Sequence, residues 1–344
     1  MATTMKAAVV RKLGQPLKLE EVPVPTPGAG EVLIKILASG VCHTDLHAAD
    51  GDWPVKPSLP LIPGHEGTGI VAGVGRGVQQ LKEGDRVGLA WLHDACGICE
   101  YCVTGWETLC EKQHNSGYNV NGSFAEYALG SERYVGRLPD KADFAALAPI
   151  LCAGVTTYKG IKETEARPGE WLAISGIGGL GHVAIQYARA MGLQVIALDV
   201  SEEKLAQART LGAELALDAR APDVVTRVLR ETGGGAHGVL ATAVSPESFH
   251  QAIQLARRKG TVVLVGLPPG DFAVPIMDVV QKRITVRGSI VGTRQDLAEA
   301  LDFAADGHVH TSIHHTALEN INDVFRDLKA GRVEGRMVLD FGTA

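Results

Sequence analysis

The chain has 344 residues, 45 % hydrophobic and 21 % charged, with a formal net charge of −6. That length suits two domains rather than one, and an acidic balance with a pI near 6.1 disfavours nucleic acid and anionic membranes, which reward basic surfaces. The start, MATTMKAAVVRKLGQ, lacks the apolar core and cleavage site of a secretory leader, and no apolar run approaches the ~20 residues that a bilayer requires.

The sequence therefore reads as cytoplasmic and soluble, in a compartment where disulfides are rare. Along residues 5–140, Lys6–Val10, Glu31–Leu37, Gly69–Ala72, Asp85–Leu89 and Phe124–Ala128 are short β-type runs. Pro/Gly clusters such as PVPTPGAG separate them, which predicts an antiparallel, barrel-like domain. Gly73-Val-Gly-Arg-Gly77 has the outline of a phosphate loop. The VQQLKEGDRV that follows is too short and turn-rich for the helix such a loop opens, so a turn between barrel strands is expected.

Cys96, Cys99, Cys102 and Cys110 fall within fifteen residues of a chain that has only six cysteines. Four thiolates on short loops suit a closed tetrahedral zinc site. An iron–sulfur cluster is the rival, but the bacterial ferredoxin run has three residues before its fourth cysteine and a proline after it. Here the gap is seven and Glu111 follows, so the lobe reads as structural zinc. Cys42 in GVCHTD and Cys152 in PILCAGVT remain. With His65 of LIPGHEG they would form a catalytic zinc set of two thiolates and an imidazole, its fourth position open. Buried cysteine also serves as a small hydrophobe, and twelve histidines give many chances of coincidence. The residues alone leave both readings open.

From about residue 168 the rhythm changes. Strand-like Trp171–Ser175, Gln194–Asp199, Val239–Ala243 and Thr261–Gly266 alternate with helical Leu180–Met191, Glu202–Leu211, Asp223–Glu231 and Pro246–Arg258, which predicts a parallel sheet covered by helices. Gly176-Ile-Gly-Gly-Leu-Gly181 follows the first strand and opens a helix, and Asp199 ends the next strand 18 residues after Gly181. Strand, glycines, helix and acid together make a dinucleotide fingerprint: the pyrophosphate meets the helix N-terminus, and the carboxylate holds ribose hydroxyls. The carboxylate repels a 2′-phosphate, which predicts NAD over NADP. Gly233-Gly-Gly235 reads as a helix stop. Two amphipathic helices follow, Gln295–Ala305 and Asn320–Ala330, and a last strand, Arg336–Phe341, is expected to return to the first domain.

GVCHTDLH, GHEGTGIV, the four-cysteine lobe, LCAGVTTYKG and SGIGGLGH, at these distances, resemble the zinc-dependent medium-chain alcohol dehydrogenases. The resemblance runs from MKAAVV to GRMVLDF and is closest to the tetrameric microbial branch that oxidises small alcohols. It implies an α/β chain: a GroES-like β-barrel catalytic domain at 1–151, with the zinc lobe at about 93–112, a Rossmann doubly wound parallel-sheet domain at 152–291, and a returning catalytic segment at 292–344. It implies two zincs per chain. Catalytic zinc would sit on Cys42, His65 and Cys152, with Glu66 as alternate ligand and Asp45 orienting His65, and structural zinc on Cys96, Cys99, Cys102 and Cys110.

The same resemblance gives Thr44 as acceptor of the substrate proton and His47 as its route to solvent through the cofactor ribose. Hydride would pass from the ionised alcohol to nicotinamide. Cofactor contacts carried over are Gly176, Ile177, Gly178, Gly179, Leu180, Gly181, Asp199 and Val265, with Lys204 near the adenosine ribose and Arg336 near the pyrophosphate. His43 stands where some relatives have arginine, a departure expected to weaken pyrophosphate binding. Trp53 and Trp91 would wall a pocket for short primary alcohols. Plainer roles exist: Thr44 and Asp45 suit a helix cap, His47 and Lys204 a solvated face, the indoles core packing. The activity implied is reversible oxidation of short primary alcohols to aldehydes by a homo-oligomer, tetramer favoured. A polyol or formaldehyde-type dehydrogenase of the same superfamily is the alternative, and a zinc-bearing nucleic-acid module leaves Asp199 and GIGGLG unexplained.

Overall fold

Glu31–Val41 carries aliphatic side chains buried on both faces, as befits a strand inside a sheet rather than at its edge. In the computed structural model, which describes residues 3–342, it is the spine of the first sheet. Gly67–Val74, Tyr127–Ser131 and Arg336–Asp340 all pair with it antiparallel. The sheet order is Ile313–Ala317, Arg336–Asp340, Glu31–Val41, Gly67–Val74, Arg86–Leu89, Gly136–Arg137. The segment after Val74 is a turn between antiparallel neighbours, as expected from its sequence, with Gly77 at φ +83°. The last strand is paired from Met337 opposite Val41 to Asp340 opposite Ala38, so the C-terminal segment closes the first unit beside the end of its spine strand.

The second unit is built on six parallel strands in the spatial order Leu215–Asp218, Gln194–Asp199, Trp171–Ser175, Ala236–Ala241, Ala256–Leu264, Thr285–Gly288. Numbered along the chain this is 3-2-1-4-5-6, the dinucleotide-fold order whose switch point falls beside the first strand. Ala173, Ile196, Val239 and Val262 lie fully buried in its core with Phe249 and Ile253 of the helix Pro246–Leu255. Two strands escape the sequence pattern because they are the sheet's edges: Thr285–Gly288 is mostly exposed, and only Leu217 of Leu215–Asp218 is buried. The helix expected to run to Arg258 stops at Leu255; Ala256 takes up extended backbone and begins the next strand, into which Arg257 and Arg258 fall.

The first unit runs to Cys152 and resumes at Thr293–Ala305 and from Thr311 on; the second takes Ala153–Gly292 and Asp306–His310. The expected boundary at 151/152 thus moves by one residue, and the returning segment is not continuous. The reason for the excursion is local: Gln186 both donates to the His310 carbonyl at 2.8 Å and accepts from its N–H at 2.9 Å. Among the described residues, no single helix is long and apolar enough to cross a membrane.

Candidate metal centres and nucleotide site

Cys42 ends the spine strand and precedes the helix His43–Asp50. Asp45, in the first turn, accepts the Cys42 N–H at 2.9 Å through Oδ2. Its Oδ1 takes the Gly64 N–H at 3.1 Å and His65 Nδ1 at 2.7 Å. Capping and orienting His65 are therefore one role of a single buried carboxylate. With Nδ1 bound, Nε2 is the nitrogen left for a metal, and it has no hydrogen-bond partner among the described residues.

Cys152 follows the 3-10 turn Ala148–Leu151 and brings its sulfur to 4.0 Å from that of Cys42. The bond from Cys152, aided by His65, holds Cys42 well below the usual thiol range, and the same bond with burial pushes Cys152 well above it. Burial opposes a charged His65, yet the Asp45 carboxylate and the Cys42 sulfur outweigh it and raise the imidazole well above its usual range.

Glu66 completes the cluster. Donor atoms of Cys42, His65, Glu66 and Cys152 all lie within 4.8 Å of one another. Glu66 is fully buried and receives Arg336 Nη2 through Oε1, while Oε2 has no partner among the described residues. Burial drives its pKa up to about 7 against the pull of Arg336. Gly40 makes the room: a Cβ there would lie 1.9 Å from Glu66 Oε2. Two sulfurs, an orphaned imidazole nitrogen and a carboxylate oxygen in reserve fit zinc with an exchangeable position.

Around this cluster stands an aromatic wall. Trp91 meets the His65 ring edge-on at 5.5 Å, Trp53 meets Trp91 at 6.2 Å, and Tyr118 packs on both indoles at 5.4 and 5.7 Å. His47 stacks on Trp53 at 5.4 Å and 23°, and its Nδ1 lies 2.9 Å from Asp52. Thr44 is half-buried and His43 exposed in the first turn of the helix. The sequence did not point to Tyr118 or Asp52; the GDWP run around Trp53 is the signal that could have found Asp52.

The four-cysteine lobe is built differently. Its four sulfurs also lie within 4.8 Å of one another, but only Cys110 is buried. N–H groups of Ile98 and Cys99 pull Cys96 down to about 6, while burial and the neighbouring sulfurs push Cys102 up to about 12. Among the described residues no carboxylate or imidazole joins the set, which fits a closed zinc site. Glu107, buried in the lobe, accepts the Arg294 side chain at 2.9 Å and its N–H at 3.1 Å.

In the second unit Gly176 sits at φ +98°, where an added Cβ would meet Ala243 N at 2.8 Å; at Gly181 it would lie 1.9 Å from the Gly176 carbonyl. At Gly178 it meets nothing, leaving a bare backbone approach. No side chain caps the helix Gly181–Ala190; the N–H groups of His182 and Val183 in its first turn are met by the carbonyls of Gly178 and Leu180 at 3.2 and 3.1 Å. Asp199 Oδ2 accepts the Ile177 N–H at 2.7 Å, and Oδ1 those of Val200 and Ser201 at 2.8 and 3.0 Å. Loop and acid are thus one construction. Ile177 is buried, Gly179 and Leu180 complete the loop, Val265 follows the fifth strand with its N–H on Ala241, and Lys204 is exposed. Arg336, expected near the pyrophosphate, is buried against Glu66 in the first unit.

Two family profiles match: the alcohol dehydrogenase GroES-like domain over residues 28–140 and the zinc-binding dehydrogenase over 179–306. An alcohol dehydrogenase of Rhizobium meliloti is 61 % identical over 98 % of this chain and 99 % of its own length. One from Moraxella is 59 % identical over 98 and 99 %. The structure of the alcohol dehydrogenase from Aeropyrum pernix is similar at TM-score 0.89 and 36 % identity, covering 97 % of this chain and 99 % of that one. Acetophenone reductase from Geotrichum candidum in complex with NAD (TM-score 0.88, 31 % identity, 99 and 98 % covered) and CAD from Helicobacter pylori with NADP(H) (0.87, 27 %, 99 and 99 %) share the fold. With its zinc-fitting cysteine sets and its dinucleotide loop, the chain belongs to the zinc-dependent medium-chain alcohol dehydrogenases, enzymes that use a nicotinamide cofactor.

Proposed function

We propose that this enzyme interconverts short primary alcohols and aldehydes with NAD, using one exchangeable and one structural zinc per chain. The observation that carries the reading is the buried Cys42–His65–Cys152 set with Glu66 held in reserve by Arg336. Zinc, when bound, supplies the Lewis acidity that lets an alcohol lose its proton near neutral pH.

The chain's own residues do the rest. Asp45 fixes His65 through Nδ1, so the ring offers Nε2. Thr44, two residues after Cys42, accepts the substrate proton, and His47 delivers it to solvent. Glu66 would be the reserve ligand of the zinc beside Cys42, His65 and Cys152, and the buried Arg336 guanidinium holds its carboxylate. Trp53 and Trp91, braced by Tyr118, narrow the approach to His65 and favour ethanol-sized substrates.

For the nucleotide, Gly176–Gly181 cradles the pyrophosphate, and His43 lends it no fixed charge where some relatives have arginine. Three of the roughly four lone-pair sites on Asp199 are taken by backbone N–H groups, which leaves one for a ribose hydroxyl. The charge remains, and it repels a 2′-phosphate; Lys204 and Val265 line the adenosine and nicotinamide ends.

All six cysteines are free thiols, which supports a reducing, cytoplasmic setting. Exposed Ile276, Met277 and Val280 next to the edge strand Thr285–Gly288 support a homo-oligomer, with the tetramer as the reading. The test is a panel of linear, branched and polyhydric alcohols with both cofactors, on the wild type and on Asp199→Ala. The fastest kcat/KM should fall on ethanol-sized primary alcohols, with NAD favoured on the order of a hundredfold. Asp199→Ala should raise KM for NAD and narrow that preference. A polyol preference, or equal use of NADP by the wild type, contradicts the reading.

A further inference from the structure

The geometry points to Asp52 as the positioning residue of the proton path, a group that sets the tautomer and the plane of His47. The inference rests on the role proposed above for His47 and adds the residue that prepares it. His47 lies in the last turn of the helix His43–Asp50. Gly51 then takes left-handed backbone, φ 65° and ψ 39°, and its N–H closes on the His47 carbonyl at 2.8 Å. Left-handed backbone favours glycine at this point, and a Cβ there would also crowd the Leu13 side chain, whose Cδ1 would lie 2.5 Å away.

The turn folds the chain back on the helix. Asp52 comes to lie with Oδ1 and Oδ2 at 3.0 and 2.9 Å from His47 Nδ1, and Trp53 lies flat along the same ring. The rest of the loop is tied down as well: Lys56 donates to the Gly51 carbonyl, and the Tyr118 hydroxyl to that of Val55.

An ionised carboxylate only accepts hydrogen bonds, so its contact requires the hydrogen of the neutral imidazole to sit on Nδ1. Nε2 is then the lone-pair nitrogen, the state in which a ring receives a proton. The other tautomer would present an N–H there and could receive nothing. The stacked indole limits rotation of the ring, so tautomer and plane are set together. Stability does not explain the pair. Its side chains are 32 % and 50 % exposed, and exposed ion pairs contribute little to folding. A helix C-terminus also welcomes a histidine, but that accounts for His47 and not for the carboxylate.

The test uses the full-length, zinc-loaded enzyme labelled with 15N-histidine. Long-range 1H–15N spectra, recorded above the ordinary imidazole titration range, assign the His47 tautomer by comparison with His47→Gln. The wild type and Asp52→Glu should carry Nδ1–H. Asp52→Asn, whose amide can donate to Nδ1, should shift the ring towards Nε2–H. Ethanol oxidation by Asp52→Asn should lose on the order of tenfold in kcat, part of the ~10²–10⁴ a positioned base supplies. KM for NAD and the melting temperature should hold, and Asp52→Glu should recover most of the rate. If His47→Gln is slow while Asp52→Asn keeps the wild-type tautomer and rate, Asp52 has no such role. If His47→Gln itself turns over like the wild type, the relay falls and this inference with it.

Discussion

The first unit holds two cysteine clusters of similar compactness and opposite character. At Cys42, His65 and Cys152 three donors are buried, and the fourth place is contested by Glu66, which Arg336 also claims. At Cys96, Cys99, Cys102 and Cys110 four like donors, three of them partly in solvent and Cys110 buried, have no competitor among the described residues. A site that must exchange ligands keeps a weakly committed donor beside it and supports each ligand from behind, as Asp45 supports His65. A site that only cross-links a loop needs neither. The spacing follows the same logic: a lobe closed locally can take all its ligands from one short segment, whereas the exchangeable site draws on residues separated by over a hundred positions and so depends on the sheet being folded.

The largest break in this comparison should come from the exchangeable set. Cys42→Ala, His65→Ala or Cys152→Ala should lower kcat for ethanol by on the order of 10³–10⁴, the worth of several kcal/mol of Lewis-acid stabilisation. NAD binding followed by fluorescence titration should survive, because Gly176–Gly181 and Asp199 belong to the second unit's own sheet. Turnover near the wild-type rate in any of the three would remove the distinction between the clusters.

A smaller effect should follow at the lobe. Cys99→Ser should keep initial activity while the melting temperature falls on the order of 5 °C, since the loop loses its cross-link but the exchangeable set is untouched. Immediate loss of activity would mean that the lobe shapes the reaction directly.

The smallest concerns Glu107, whose carboxyl ties the lobe to Arg294. Burial raises its pKa, but the Arg294 N–H and guanidinium win, and the net shift is downward. A lowered carboxyl stabilises the fold above its unfolded value of about 4.3, and that contribution is lost as pH falls through the folded value. Arg294 is partly exposed, so Glu107→Gln should cost only about 1 kcal/mol at pH 7. Thermal melts of the two proteins should converge towards pH 3. A gap that widens on acidification would reverse the sign.

The four-cysteine lobe was legible because cysteine is scarce here and its spacing is chemically specific, and the nucleotide loop because glycine, helix and acid had to coincide. For Cys42, His65 and Cys152, which share no local spacing, the residues alone left two readings open and only the family resemblance chose between them. Other features were not. Glu66 and Arg336 meet across 270 positions, and no local pattern joins them. Asp45 offered two readings, cap and orienting group, and one carboxylate with two oxygens fills both. The edge strands Leu215–Asp218 and Thr285–Gly288 lack buried alternation because half of their surface faces outward. Asp52 finds His47 only because Gly51 reverses the chain.

The most direct test of the two-cluster account is a zinc count per chain by elemental analysis on the wild type, Cys99→Ser and Cys152→Ala. The account predicts two zincs in the wild type and one in each variant, with activity retained in the first and lost in the second. One zinc in the wild type, or iron in place of the lobe's zinc, would contradict it.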